Sequence, residues 1–130
     1  MKVLFFDLCE EEKPYVIEKS DCFDVKLFEC CLDDNTINTL KEEDFEDTVM
    51  ISIKPSSKLS ADIISKFKNL RLIAVRARKY DCVDWQYCFD NNIALTNVEK
   101  YSQSEPDLLL KESFSCMAGF LSGGKENRVV

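Results

Sequence analysis

The chain contains no histidine, and only three glycines and three prolines among its 130 residues. Without histidine, the side chain best suited to proton transfer at neutral pH is unavailable, so catalysis or metal ligation by imidazole is excluded for these residues. The adjoining Gly123 and Gly124 lie too late and too isolated to form a G-x-G-x-x-G turn, so no preformed pyrophosphate site is expected. Long apolar runs are lacking too. The first, Val3-Leu4-Phe5-Phe6, gives way to Asp7 and then to Glu10, Glu11 and Glu12. Nothing approaches the roughly 18 apolar residues of a membrane span, and neither a transmembrane helix nor a signal peptide is expected.

Positive charge is also in deficit, with 17 Lys and Arg against 24 Asp and Glu, a formal charge of -7. The sequence pI is near 4.7, so phosphate backbones and anionic lipid are not attracted nonspecifically, and nucleic acid and membrane are set aside as partners. The seven cysteines, Cys9, Cys22, Cys30, Cys31, Cys82, Cys88 and Cys116, are odd in number and show no C-x-x-C spacing. They read as reduced thiols of a cytoplasmic protein, serving as small hydrophobic filler, with no metal site. At 15.0 kDa the chain suffices for one domain, spanning residues 1–130.

Short apolar runs alternate with helix-like segments. Val3 to Phe6 fits a strand buried on both faces, and Pro14 suits the first turn of a helix beginning near Glu12. Phe23, Val25 and Leu27 alternate with Asp24 and Lys26, the pattern of an edge strand with one wet face. Asp34 can cap a short helix carrying Ile37 and Leu40, and Val49 to Ile53 forms a third strand. Ser60 caps a helix that buries Ile63, Ile64 and Phe67, and Leu70 to Val75 is the fourth strand. Asp84 caps the next helix, with Trp85, Cys88 and Phe89 expected inward and Asn91-Asn92 as a left-handed stop before the fifth strand, Ile93 to Val98. Five strands joined through helices imply right-handed crossovers. The expected fold is α/β, a flavodoxin-like three-layer sandwich whose five-stranded parallel sheet has the order 2-1-3-4-5, with helices on both faces and ligands at the carboxyl ends of the strands.

After the fifth strand, residues 99–106 form a polar connector. A last helix then places Leu110, Phe114, Met117 and Leu121 at helical spacing, with Ser104 as its cap and Gly123-Gly124 as its stop. A receiver domain also uses five parallel strands, but the third strand here ends Ile53-Lys54-Pro55-Ser56, without the phospho-accepting aspartate. A flavodoxin needs a Ser-, Thr- and Gly-rich phosphate loop after its first strand, and Leu8-Cys9-Glu10-Glu11 carries the wrong charge.

Three stretches resemble the D-isomer-specific 2-hydroxyacid dehydrogenases, the D-lactate dehydrogenase-like members in particular. One is the opening Met1 to Phe6 with Glu12-Lys13-Pro14-Tyr15. The most specific is Leu72-Ile73-Ala74-Val75-Arg76-Ala77-Arg78-Lys79-Tyr80-Asp81-Cys82-Val83-Asp84, followed by Ile93-Ala94-Leu95-Thr96-Asn97-Val98-Glu99-Lys100-Tyr101-Ser102. The third is the tail, Leu109 to Val130, similar to the family's closing helix and extension.

The resemblance implies that the NAD domain, which in this family sits between the fifth strand and the closing helix, is missing here. Residues 1–101 would form the N-terminal part, 102–106 the junction, and 107–130 the closing helix and tail. It implies no catalytic residue, because the family's histidine, its orienting glutamate and its substrate arginine have no matching positions, and no bound cofactor. What it retains is the half that holds a substrate carboxylate by backbone N–H groups, mapping to Ala77, Arg78 and Lys79, with Tyr101 lining the cleft. Lys79 stands where the family has glycine, and Glu99 where it has proline. The expected function is a stand-alone substrate-binding domain, inactive alone. The alternatives are a module that binds a small 2-oxo or 2-hydroxy acid or pairs with another subunit, and half of a split dehydrogenase completed by an NAD-domain partner. Exposure of the wall that the NAD domain would cover makes a homo-oligomer, formed near Tyr101 and the last helix, a further expectation.

Overall fold

A computed structural model of the chain describes every residue except Asp21, Cys22 and Gln103. Cys22 and Gln103, which belong to the cysteine set and the connector above, therefore lie outside the described residues. The elements run β1 (Lys2–Phe5), α1 (Lys13–Lys19), β2 (Asp24–Leu27), a 3₁₀ turn (Ile37–Thr39), α2 (Glu42–Asp47), β3 (Thr48–Ile53), α3 (Ala61–Ser65), β4 (Leu72–Val75), α4 (Trp85–Asp90), β5 (Ala94–Thr96) and α5 (Pro106–Leu121). All five strands pair in parallel in the order β2-β1-β3-β4-β5, the topology the sequence pattern implies.

Strand alternation divides the core in two. Leu4, Ile51, Ile53, Ile73, Val75 and Leu95 face α3 and α4, where Ile63, Ile64, Phe67 and Cys88 meet them. Val3, Phe5, Met50, Leu72, Ala74 and Ala94 face α1 and α5, where Val16, Leu110, Phe114 and Met117 cover them. The rings of Phe5 and Phe114 stack at 5.4 Å. Each Val, Leu, Ile, Phe or Met side chain buried in this way contributes about 1.5–3 kcal/mol, which is why continuous apolar strands belong in the middle of three layers.

Several capping expectations hold. Ser60 Oγ accepts from Ile63 N–H at 3.4 Å and Asp84 Oδ1 from Tyr87 N–H at 3.1 Å. Asn92 takes the left-handed φ of 58° that ends α4, and Gly123 takes φ 85° just after α5.

Other expectations are corrected. Asp33, not Asp34, organises the 3₁₀ turn: its Oδ1 accepts from Asn35 N–H at 2.8 Å and Thr36 N–H at 3.0 Å. Glu105 rather than Ser104 occupies the N-cap of α5, with no side-chain bond. A helix not anticipated, α2, opens with Glu42, Glu43 and Asp44, whose negative charge suits a helix N-terminus. Trp85 and Phe89 are not core but 47% and 63% exposed. The six residues of α4 bury only Cys88, with Tyr87 packed at the margin, and this turns the i, i+4 pair Trp85 and Phe89 to the outside.

Residues after α5 fold back along the outer edge of β5. Val129 N–H donates to the Leu95 carbonyl at 2.7 Å and Asn97 N–H to the Asn127 carbonyl at 3.1 Å, with an antiparallel bridge between Thr96 and Arg128.

The cysteines divide by burial. Cys82, Cys88 and Cys116 are buried, whereas Cys9 and Cys30 are exposed and so are not core filler; all of these are free thiols. Burial, assisted by the Asp84 charge, pushes the Cys88 thiol up to about 12. Alkylation of the native chain followed by mass mapping should label Cys9 and Cys30 and spare Cys82, Cys88 and Cys116 until denaturant is added; native labelling of Cys88 would contradict this packing.

Candidate functional site

In a parallel sheet of this order the carboxyl ends of the strands form one rim, where loops rather than helices are exposed. On that rim, between the loops that follow β3 and β4, lies a crevice of about 530 Å³. Lys54, Pro55 and Ser56 line it from the first loop, and Ala77, Arg78, Lys79 and Asp81 from the second.

The floor is built from groups far apart in sequence. Asp7, two residues beyond β1, takes a left-handed φ of 60°, a conformation costly for a residue with a Cβ. Its carboxylate accepts three hydrogen bonds, from Lys54 N–H at 2.9 Å, Ser56 Oγ–H at 2.7 Å and Ser57 Oγ–H at 2.7 Å, which tie the β1 and β3 loops together. Glu12, 2% exposed, accepts from Cys9 N–H at 2.9 Å and from Lys54 Nζ at 3.0 Å. Burial alone would raise its carboxyl, but the Cys9 N–H and the Lys54 ammonium hold it below its ordinary value.

Arg76 stands only two positions before Arg78 in the sequence, and the structure separates it from Arg78 and Lys79. It is 0% exposed, and its guanidinium donates to Ser52 Oγ at 2.6 Å and to the Phe6 and Asp7 carbonyls at 2.6 and 3.2 Å. Burial lowers its pKa to about 10, with Glu12 and Asp7 opposing the shift, and it stays protonated at neutral pH. Arg76 is thus an internal clamp beneath the crevice.

Arg78 and Lys79 are exposed on the rim. One Arg78 nitrogen donates to the Glu99 carbonyl at 2.8 Å, while Asn97 Nδ2–H donates to the Arg78 carbonyl at 2.8 Å, fixing this loop against the start of the β5–α5 connector. The backbone N–H groups of Ala77, Arg78 and Lys79 donate to no acceptor among the described residues. Lys79, in the family's glycine position, has no left-handed φ, so its Cβ introduces no backbone strain. Tyr101 is half-buried on the connector and does not line this crevice. Lys54, Ser56 and Asp81 do line it, although sequence reasoning passed over them; the place of Lys54-Pro55-Ser56 directly after a central strand was the available sign.

Among the described residues no group of acidic or cysteine side chains is arranged to hold a metal ion, and no helix is long and apolar enough to cross a membrane.

Solved structures similar to this one include several dehydrogenases. D-lactate dehydrogenase from Aquifex aeolicus, complexed with NAD and lactic acid, has a TM-score of 0.69 and 24% identity over 90% of this chain and 33% of its own. The apo D-lactate dehydrogenase of Escherichia coli gives 0.65 and 18% over 92% of this chain and 36% of its own. The NAD-complexed D-isomer specific 2-hydroxyacid dehydrogenase of Lactobacillus delbrueckii ssp. bulgaricus gives 0.64 and 18% over 93% and 36%. These likenesses show a shared fold, and the chain spans about a third of the length of each. No curated protein matches it by sequence. The family model for the catalytic domain of D-isomer specific 2-hydroxyacid dehydrogenases matches residues 3–106, and the chain belongs to that family.

Proposed function

We propose that this chain is a substrate-binding domain that takes a small 2-oxo or 2-hydroxy acid by its carboxylate and transfers no hydride alone. The observation that carries the reading is the crevice, where the backbone N–H groups of Ala77, Arg78 and Lys79, without acceptors among the described residues, adjoin Lys54 in a space ample for such an acid. Amide donors and cations converging on one concave surface suit a carboxylate. Tyr101 lies outside the crevice lining, on the connector two residues beyond the Glu99 carbonyl that Arg78 holds.

The residues present do not fit NAD. All three glycines, Gly119, Gly123 and Gly124, lie in or just after α5, and none opens a helix after a strand. The loop after β1 presents Glu10 and Glu11, which repel a pyrophosphate. Between Thr96 and Pro106 the chain passes from β5 to α5 by the short connector 97–105, where the family carries its NAD domain, and residues 107–130 then close the fold.

The test is an amide chemical-shift titration with D-lactate and with pyruvate, followed by NADH. Saturable shifts over residues 76–84 and at Tyr101 are expected with the acids, and neither shifts nor oxidation with NADH. An absence of shifts with both acids would overturn the reading.

A further inference from the structure

The outer side of β2 has no backbone partner among the described residues. Toward β1 the strand bonds through its even-numbered residues: Asp24 N–H donates to the Met1 carbonyl and Phe28 N–H to the Phe5 carbonyl, both at 2.8 Å. Backbone groups of successive strand residues point to opposite sides, so the N–H and C=O of Val25 and Leu27 are turned away from the sheet, free to pair. A charge commonly protects such an edge. Lys26 is that charge, but Asp24 stands two residues before it, on the same face of the strand, and the two signs make the edge complementary to itself. Asp24 is exposed and forms no ion pair among the described residues. Lys26 shares the single carboxylate of Asp44 with Lys2, so two ammonium groups there face one internal anion.

From this edge we infer that a second copy of the chain docks on β2, the two strands running antiparallel about a two-fold axis at Val25. Val25 and the partner's Val25 exchange two backbone hydrogen bonds, and Leu27 N–H donates to the partner's Phe23 carbonyl. Asp24 then lies directly opposite the partner's Lys26, and symmetry makes this contact twice. Charge selects the register. With the axis at Lys26 two lysines oppose each other, with the axis at Asp24 two aspartates do, and with the axis at Leu27 Lys26 meets the partner's Phe28 and Asp24 meets no cation. On the other face of the strand, Phe23, Val25 and Leu27 are only partly buried against the α1 and α5 side of the core, and the partner's copies of these side chains extend their cover. Two short strands make a small interface, so the dimer exchanges with monomer and its population follows concentration. The inference is independent of any ligand in the crevice.

The experiment is amide hydrogen exchange of the full chain by NMR over a concentration series, with sedimentation equilibrium on the same samples. Exchange at Val25 and Leu27 is expected to slow as the dimer fills, while Asp24 and Phe28, bonded to β1 in either state, keep their rates. Asp24→Lys should raise the dimer dissociation constant about ten-fold, because both symmetry-related pairs turn from attraction to repulsion. Val25→Pro deletes an outward N–H that has no partner in the monomer, a change an edge strand tolerates, and should abolish the dimer. A chain that stays monomeric at every concentration would overturn the inference. So would a dimer that leaves exchange at Val25 and Leu27 unchanged, which would move the contact to another surface, such as that near Tyr101 and the last helix. Protection of both amides in a dimer indifferent to Asp24→Lys would overturn the register. Wild-type exchange decides the surface even without a folded proline variant.

Discussion

Replacing Arg76 by methionine is expected to lower folding stability by about 3 kcal/mol, the largest loss we expect from any single side chain of the crevice. The guanidinium serves three acceptors, Ser52 Oγ and the carbonyls of Phe6 and Asp7, in a place where water does not reach. Each buried acceptor left without a donor costs about 1–3 kcal/mol, while removing a buried charge returns part of its desolvation cost, and the sum of these opposing effects stays clearly unfavourable. Lysine is a poor substitute, since a single ammonium cannot span acceptors on two strands as a planar fork does. Urea unfolding of wild type, Arg76→Met and Arg76→Lys checks this. An unchanged slope with a lower midpoint is expected for both variants, and a loss below about 1 kcal/mol for Arg76→Met would show that the clamp is dispensable.

Acid should destabilise the chain through Asp44. Its side chain has 0% exposure and lies between the ammonium groups of Lys2 on β1 and Lys26 on β2, with the Lys41 N–H as a further donor. Burial alone would raise this carboxyl, but the hydrogen bonds from Lys2, the Lys41 N–H and Lys26 outweigh it and bring the pKa from 3.8 to about 2. The folded value lies below the unfolded one. The contribution is therefore fully present above about pH 4 and disappears as pH falls through about 2. Because Lys26 is 36% exposed, solvent screening limits it to on the order of 1–2 kcal/mol. Urea midpoints at pH 5 and pH 2.5 should fall more for wild type than for Asp44→Asn; a parallel fall would assign the acid sensitivity to other carboxylates.

The framework was legible because its strands announce themselves. Val3-Leu4-Phe5-Phe6 and Leu72 to Val75 are continuous apolar runs, and the alternation around Asp24 and Lys26 placed β2 at an edge. Single-residue devices such as Ser60, Asp84 and Asn92 were readable as well, since a cap acts on the next turn of its own chain. Two aromatic residues misled: Trp85 and Phe89 have core chemistry, but a helix of six residues has room for one inward stripe, and Cys88 took it. The α2 segment offered no apolar period, only the acidic first turn that a helix dipole rewards.

The site was half legible for a related reason. Ala77, Arg78 and Lys79 belong to a local loop and could be placed from its motif. Asp7 meets Ser56 and Ser57 across 49 and 50 residues, and Arg76 reaches Phe6 across 70, contacts that no local pattern encodes. Arg76 and Arg78 have the same chemistry two positions apart. Only the third dimension assigns one to the interior and the other to the rim.

The return of residues 127–130 along β5 bears on how the molecule can assemble. Growth of a fibre by sheet continuation needs two free strand edges per molecule, one to accept the incoming chain and one to offer the next. Here the outer side of β5 already has its backbone partner, and β2 is left as the open margin of the sheet. With one open margin, edge-to-edge pairing through the sheet ends at two molecules, a closed pair rather than a filament.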